Sequence, residues 1–254
     1  MKLQKITIAT KTSQAAPKKA ASKKAAPKVT KRAETQRRYK DACATAHALD
    51  LVGDRWALLV IRELIWGARR FGDLRASLPG ISANVLTQRL NDLEAAGILT
   101  RRKLPPPAGV QVYELTEWGL ESEPIFQALG RWAARSPQHD PTLPFSISSL
   151  LLSLRTMLDP DLAAGMTARI GFRLEDQSFL AELADGRIEI APQALDGVDL
   201  IFTGTPPILA AAIYGGQDLK ALEAAGLLKI AGDRKLAERF VGLFPLPPKA
   251  SLPS

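Results

Sequence analysis

The sequence predicts an α+β protein in which a winged helix-turn-helix domain and then a small α/β domain follow a disordered basic N-terminal arm. Three observations support this prediction. Basic residues are concentrated in the first 40 positions, helical periods with one short strand pair follow, and strands alternate with helices after a proline-rich break. The predicted parts are an arm at 1–40, a first body at 41–135, a linker at 136–145 and a second body at 146–250.

The arm carries the positive charge of the chain. Residues 1–40 hold 13 Lys and Arg against the single acidic residue Glu34, whereas the other 214 residues hold 21 basic and 25 acidic side chains. Between Lys11 and Arg32 the composition is Ala, Lys, Pro and Ser, which offers too little apolar surface to fold. This Lys/Ala/Pro-rich arm is either a solubilising extension or a tether that releases counterions from DNA phosphates.

Composition also argues against several classes of protein. One cysteine excludes an intramolecular disulfide, and one cysteine with two histidines excludes a Cys/His zinc finger within one chain. No run of about 18 apolar residues is present, and the first residues lack the apolar stretch of a secretory signal, so we expect no membrane insertion and a cytoplasmic location. No nucleophile triad, glycine-rich phosphate loop or metal signature is recognisable, so neither an enzyme nor a cofactor is predicted.

The first helices are placed by their end signals. A helix over 42–52 ends at Gly53, and Asp54 is a good N-cap for a helix from Arg55 to Trp66. Later, Thr116 caps a long helix, Glu117–Arg135, which Pro124 should bend.

A helix-turn-helix is predicted between these helices. A short helix from Phe71 to Leu78, the turn Pro79-Gly80-Ile81 and a helix from Ser82 to about Ala96 have the order of that motif. Leucines mark the inward side of the second helix, and the opposite side carries side chains suited to base reading in a major groove. These candidate DNA-binding residues are Ser82, Asn84, Thr87, Gln88 and Asn91. The alternative is an ordinary amphipathic helix with a polar solvent face.

A strand pair after this helix favours DNA binding. Residues 98–104 and 109–115 are strand-like, and Pro105-Pro-Pro-Ala-Gly109 forms a stiff tip between them. Such a pair is a wing, and Arg101, Arg102 and Lys103 place three cations along it for phosphate or minor-groove contact. The alternative is a solvated edge strand protected from aggregation by its charge.

The second body shows mixed strands and helices. A helix over 147–158 is followed by strands near 169–174, 178–183, 187–190, 200–203 and 227–230, and Asp185-Gly186 is a hairpin turn signal. Helices are predicted over 206–214, 218–225 and 233–243.

From Cys43 to about 135, the chain resembles the HxlR-type winged-helix transcriptional regulators of bacteria. The matching stretches are Leu49-Asp-Leu-Val-Gly-Asp-Arg-Trp56, Ile61-Arg-Glu-Leu64, Leu78-Pro-Gly-Ile-Ser82, Leu86-Thr-Gln-Arg-Leu90 and Gly97-Ile-Leu99. The resemblance implies a homodimer formed mainly through the first and last helices, which binds double-stranded DNA at a pseudo-palindromic operator.

Cys43 matches a cysteine that some members of this family use as a redox or electrophile sensor. Arg37, Arg38 or a helix N-terminus could lower its pKa, whereas a small buried apolar residue is the alternative. His47 lies one turn away from Cys43. These two side chains are too few for a closed metal site within one chain, so the remaining alternative is a metal site shared by the two copies of a dimer.

Residues 147–246 resemble the sterol-carrier-protein type of lipid-binding domain. The matching features are the hairpin strands, Asp199-Leu-Ile-Phe202 before a helix, and Ala225-Gly-Leu-Leu-Lys-Ile-Ala-Gly-Asp233 before the last helix. The resemblance implies an apolar tunnel that binds an apolar small molecule or lipid. The candidate lining residues are Phe172, Phe202, Leu209, Ile213, Leu222 and Phe240. The alternative is that they fill an ordinary core.

Together these features predict a homodimeric, sequence-specific DNA-binding regulator, associated with the bacterial nucleoid and tuned by an apolar ligand or by oxidation of Cys43. The alternative is an apolar-ligand-binding protein whose first body serves dimerisation or nonspecific nucleoid association.

Overall fold

The first half of the chain folds into helices and one strand pair, in the order that the sequence predicts. The structure is a computed structural model that describes residues 39–251, so nearly all of the predicted arm lies outside the described residues. The elements of the first half are α1 (Ala44–Val52), α2 (Ala57–Leu64), α3 (Phe71–Ser77), α4 (Ala83–Ala95), β1 (Leu99–Lys103), β2 (Gln111–Leu115), α5 (Glu117–Leu120) and α6 (Glu123–Ala134).

Up to residue 251, where the described part of the chain ends, the second half contains one mixed sheet and four helices. Its elements are α7 (Ile147–Met157), β3 (Ala168–Leu174), β4 (Gln177–Ala184), β5 (Arg187–Pro192), β6 (Leu200–Gly204), α8 (Pro206–Ile213), α9 (Leu219–Ala224), β7 (Leu228–Gly232) and α10 (Arg234–Val241). These elements confirm the predicted fold class of a helical, winged domain followed by an α/β region. No helix within residues 39–251 combines the length and apolarity needed to cross a bilayer.

Two details of the predicted helices are wrong. Asp54 does not cap α2: residues 54–56 form a turn, α2 begins at Ala57, and the Asp54 carboxylate pairs instead with Arg89. The predicted long helix Glu117–Arg135 is two helices, α5 and α6, with Pro124 in the first turn of α6. Proline has no N–H to donate, and the first turn of a helix needs none, so the chain starts a new helix there rather than bending one.

The sheet has the strand order β5-β4-β3-β6-β7, in which β3 and β6 are parallel and the other neighbours are antiparallel. Register pairs Phe172 with Phe179 and with Phe202, which puts three rings on one face of the sheet. The hairpin between β4 and β5 turns at Asp185 and Gly186, whose φ angles are 51° and 69°. Positive φ at both positions is what a two-residue hairpin turn requires, and it explains the Asp-Gly pair.

Helix α7 joins the two halves into one hydrophobic core. It packs against α2 and α6 of the first half and against β5 of the second. The indole of Trp66 meets Phe179 edge to face at 6.3 Å between centroids, and the Ser146 hydroxyl donates to Glu63 at 2.8 Å. The sequence pattern predicts two bodies separated by a linker. The linker prolines indicate an irregular connection, but they carry no information on which faces pack together.

The C-terminal segment returns to the end of α6. The Lys249 ammonium donates to the carbonyl oxygens of Ala134 and Ser136 at 3.0 Å, and the Ala250 N–H donates to the carbonyl of Arg135 at 2.7 Å. These donors satisfy carbonyls that a helix end leaves unpaired. Residues 249 and 250 therefore cap a helix of the first half.

Candidate nucleic-acid interface

Helix α4 is held by a buried leucine stripe. Its N-cap is Ser82, whose hydroxyl accepts a hydrogen bond from the N–H of Val85 at 3.3 Å. Leu86, Leu90 and Leu93 are buried at the spacing of one helical face. Burial of this stripe fixes the rotation of α4 about its axis, and the opposite stripe must then face outward.

The outward stripe carries the predicted base-reading side chains. Asn84, Thr87, Gln88 and Asn91 are exposed, as is Ser82 at the start of the helix. The hydroxyl of Thr87 donates to the carbonyl of Ala83 at 2.8 Å. The Thr87 side chain can therefore offer a ligand its methyl group and the hydroxyl oxygen as an acceptor, but not the hydroxyl proton. The structure thus groups the predicted residues of α4 on one accessible face.

A series of charged side chains holds the Gln88 side chain in place. Its Nε2 donates to Oδ1 of Asp92 at 2.7 Å. The second oxygen of Asp92 pairs with Arg89 at 3.0 Å, and Arg89 also pairs with Asp54 in the turn before α2. The amide of Gln88 is therefore connected through Asp92 and Arg89 to the loop between α1 and α2.

The three predicted wing cations differ in their surroundings. Arg101 contacts Glu94 and donates to Oδ1 of Asn91 at 2.7 Å, and its guanidinium lies 5.7 Å from the ring centroid of Tyr113. Arg102 pairs with Glu114 across the strand pair at 2.7 Å. Among the described residues Lys103 has no hydrogen-bonding or ionic partner for its side chain, so of the three it is the cation most available to a phosphate.

Three residues of this surface were not predicted from the sequence. Val85, in the first turn of α4, is 38% exposed beside the polar stripe, where an apolar side chain can contact a thymine methyl group. Asp92 supports Gln88, and their i, i+4 spacing was a usable signal. Glu94 supports Arg101, but that pairing depends on how the wing packs on α4, and local spacing does not reveal it.

An apolar stripe is exposed on α6. Ile125, Leu129 and Trp132 recur at helical spacing, and Trp132 is 74% exposed. Further large apolar side chains are exposed on α5 and α1: Trp118, Leu120 and Leu49. Grouped exposed apolar side chains of this size are unusual on a lone soluble domain and are typical of interaction surfaces.

Cys43 is exposed at the N-terminus of α1, so the alternative of a buried apolar residue does not hold. The backbone N–H groups of Thr45 and Ala46, followed by the hydroxyl of Thr45, hydrogen-bond the sulfur and lower the pKa of the Cys43 thiol. His47 hydrogen-bonds Cys43 through its backbone N–H, which donates to the Cys43 carbonyl at 3.1 Å. Within residues 39–251, no three Cys, His, Asp or Glu side chains are grouped to hold a metal.

The lowered pKa of Cys43 predicts alkylation at lower pH than for an ordinary thiol. Because the thiolate is the reactive form, the midpoint of the iodoacetamide rate against pH should lie below that of the same chain unfolded in guanidinium chloride, where the helix N-terminus is lost. Cys43 is the only cysteine of the chain, so the readout is unambiguous. Thr45→Val should raise the midpoint, since it removes the hydroxyl but keeps the N–H. Identical midpoints in folded and unfolded chains would contradict the role of the helix N-terminus.

The predicted tunnel residues of the second half are all buried. The rings of Phe172, Phe202 and Phe240 lie 5.8–6.0 Å apart between centroids, and Phe244 packs on Phe240 at 5.0 Å. Leu209, Ile213 and Leu222 are buried as well. The rings are thus in mutual contact, and a ligand between them would require them to separate.

A polar cleft of about 260 Å³ lies elsewhere, at the junction of the two halves. It is bounded by α6, α7 and the β4–β5 hairpin, and its lining includes Glu123, Gln127, Arg155 and Arg187. None of the predicted tunnel residues lines this cleft.

Comparison with known proteins finds a different family for each half of the chain. An outward polar helix followed by a charged wing is the arrangement of a winged helix-turn-helix domain. Residues 51–140 match the family described as HxlR-like helix-turn-helix, and residues 150–245 match the SCP-2 sterol transfer family. The chain belongs to the HxlR-like helix-turn-helix family, and the SCP-2 match covers a separate part of it.

Relatives are named as regulators. The chain is 41% identical over 87 residues to an uncharacterized HTH-type transcriptional regulator, sll1512, of Synechocystis; the match spans 34% of this chain and 64% of that protein, just under two thirds of its length. It is 35% identical to the regulator YvaP of Bacillus subtilis over 34% of this chain and 80% of YvaP. The solved structure of reduced YodB from B. subtilis is similar over 39% of this chain and all of that chain, with 33% identity and a TM-score of 0.36.

Proposed function

We propose that this protein is a homodimer that binds specific double-stranded DNA sequences through α4. The observation that carries the proposal is the outward polar stripe of α4 beside a charged wing. In this proposal Ser82, Asn84, Thr87, Gln88 and Asn91 face base edges, while Arg101, Arg102 and Lys103 contact phosphates. The basic arm adds nonspecific affinity, and the protein works in the bacterial cytoplasm on the nucleoid, where its DNA partner is found.

Replacing Gln88 and Asn91 together with alanine should remove sequence preference and keep nonspecific binding. Each base contact that is lost lowers discrimination by about 1–3 kcal/mol, whereas phosphate contacts remain. The measurement compares affinity for a duplex selected by the full chain with affinity for a random duplex, at fixed salt. The matched control is Gln193→Ala with Gln217→Ala, two exposed amides of the second half, which should change neither affinity. Equal losses on both duplexes would contradict base reading by these residues.

Dimerisation is proposed to cover the exposed apolar stripe of α6. Its support is the grouping of Ile125, Leu129 and Trp132 on one helix face, with Leu49 exposed on α1. Terminal helices of a small domain that expose such side chains need an apolar partner, and an identical face on a second copy provides one.

Native mass spectrometry should find twice the chain mass of 27.5 kDa, and Leu129→Asp with Trp132→Asp should shift the protein to the monomer. Aspartate at these positions would have to be desolvated without a partner, which disfavours association. Leu227→Asp, at a leucine of the second half that is 50% exposed, is the control and should leave the dimer intact. A monomeric unmodified chain at micromolar concentration would overturn this part of the proposal.

Two regulatory inputs are proposed for this dimer. Cys43 is exposed and has a lowered pKa, which are the properties that favour oxidation. The SCP-2 domain is proposed to take an apolar ligand, supported by the family match and by the apolar inner face of its sheet. Either input changes DNA affinity only if it favours one dimer geometry over another.

A further inference from the structure

The amides of Gln88 and Asn91 have intramolecular partners of opposite charge. Gln88 meets the carboxylate of Asp92 at 2.7 Å, and Asn91 meets the guanidinium of Arg101 at 2.7 Å. A carboxylate only accepts and a guanidinium only donates hydrogen bonds. The partner therefore determines which end of each amide is bound within the protein: the nitrogen of Gln88 and the oxygen of Asn91.

Both partners are themselves held in place. Asp92 is paired with Arg89, whose side chain is 16% exposed and which also pairs with Asp54. Arg101 is fixed by Glu94, with Nε at 3.0 Å from Oε1, and by the face of Tyr113. A charged partner that is anchored on a second element restricts the amide more than a freely moving one, because less ordering entropy remains to be lost on binding.

The atoms left without a partner differ between the two residues. Within the described chain Oε1 of Gln88 and Nδ2 of Asn91 make no hydrogen bond, and both side chains are exposed. Hydrogen bonds polarise one another, so a carboxylate at the N–H end makes the Gln88 oxygen a better acceptor. By the same effect the guanidinium at its oxygen makes the Asn91 nitrogen a better donor.

We propose that these pairings give the two amides opposite reading roles on DNA. Gln88 accepts from the exocyclic amine of adenine or cytosine, and Asn91 donates to a base acceptor such as guanine O6 or N7 or thymine O4. Asp92 and Arg101 are positioning residues that set these roles without touching the bases. The inference rests on the proposed function, and it differs from the usual arrangement in which a free amide both donates to and accepts from one adenine.

Base analogues test this assignment. A duplex is first selected from a random library by the full-length protein, and Gln88→Ala and Asn91→Ala identify the base pair that each residue reads. Every base pair carries one exocyclic amine in the major groove. The amine is then removed from each of the two pairs in turn, with purine replacing adenine or 2-pyrimidinone replacing cytosine.

Loss of the amine should weaken binding about threefold to tenfold at the Gln88 pair and by less than about twofold at the Asn91 pair. The two sites serve as controls for each other, because the analogue changes duplex stability in both. Equal losses at the two pairs, or a loss confined to the Asn91 pair, would overturn the inference. If the library yields no preferred sequence, the proposed function itself fails. If a sequence is selected but the amines do not discriminate, only the inference fails.

Neighbouring arginines provide the test of positioning. Arg101→Met frees the Asn91 amide to rotate, and the preference at the Asn91 pair should fall about threefold to tenfold. Arg102→Met, which removes an equal charge whose partner is Glu114, should weaken binding to all duplexes alike without changing base preference. Arg101→Lys keeps a donor toward Asn91 and should preserve the preference. The same preference profile in Arg101→Met and Arg102→Met would show that Arg101 contributes charge alone.

Discussion

Phe240→Ala is expected to lower the free energy of unfolding by about 3–5 kcal/mol, since it deletes a buried ring and leaves a cavity. The Phe240 ring is fully buried in contact with Phe172, Phe202 and Phe244, which come from two strands and from the residues that follow α10. No single neighbour can move into the space without losing contacts of its own. Urea unfolding followed by circular dichroism measures the change.

Leu227→Ala is the control for this substitution, because Leu227 is half exposed and should cost less than about 1 kcal/mol. A small apolar molecule can show whether the space vacated by the ring stays open. A dry cavity lined by apolar side chains binds small aromatic molecules, so benzene should raise the stability of Phe240→Ala and not that of the unmodified protein. A loss below about 1 kcal/mol would show that the core collapses freely at this position.

Arg155→Met is expected to lower the free energy of unfolding by about 2–4 kcal/mol, because it leaves the largely buried Glu123 carboxylate without its charged partner and with only the amide of Gln127 donating to it, at 3.1 Å. Arg155 contacts Glu123 through both carboxylate oxygens, at 2.7 and 2.9 Å, and both side chains are only 18% exposed. It also donates to the carbonyl of Ile190 at 2.6 Å and lies 4.8 Å from the ring centroid of Trp66. One side chain of α7 thus binds α6, β5 and the residues that follow α2.

A second substitution distinguishes the cost of the unpaired Glu123 charge from the cost of the other contacts that Arg155 makes. Glu123→Gln in the Arg155→Met background should restore part of the stability, since a neutral amide is cheaper to leave buried than a carboxylate. Arg173→Met, at an exposed arginine of β3, should leave the free energy of unfolding unchanged. If the double variant were no more stable than Arg155→Met alone, the unpaired charge of Glu123 would not account for the loss.

Local chemistry made much of the fold predictable. Ser82, Asp218 and Asp233 each accept hydrogen bonds from backbone N–H groups at a helix start, and the Asp185-Gly186 turn has the φ angles its residues favour. The leucine stripe of α4 fixed which amides face outward. In each case the signal depends on residues within one or two turns, which a single sequence contains.

Contacts between residues far apart in the sequence were harder to predict. Asp54 is a good capping residue by type, but Arg89, 35 positions later, takes its carboxylate. The contacts of Arg155 with Trp66 and Glu123 unite halves whose sequence patterns read as independent. Arg101 was predicted as a phosphate contact because of its charge, whereas its contacts with Glu94 and Asn91 depend on how the wing lies against α4. Charge and spacing specify that a partner is needed but do not identify which one.

The capping of α6 by Lys249 and Ala250 has a consequence during synthesis. The carbonyls of Ala134 and Ser136 leave the ribosome more than a hundred residues before the groups that satisfy them. A chain released early would carry a complete winged domain whose final helix has an open end, and the apolar stripe of that helix would be less firmly held. Chains translated through Ala250 would therefore hold the end of α6 in place, so a late part of the coding sequence stabilises a helix of the first half.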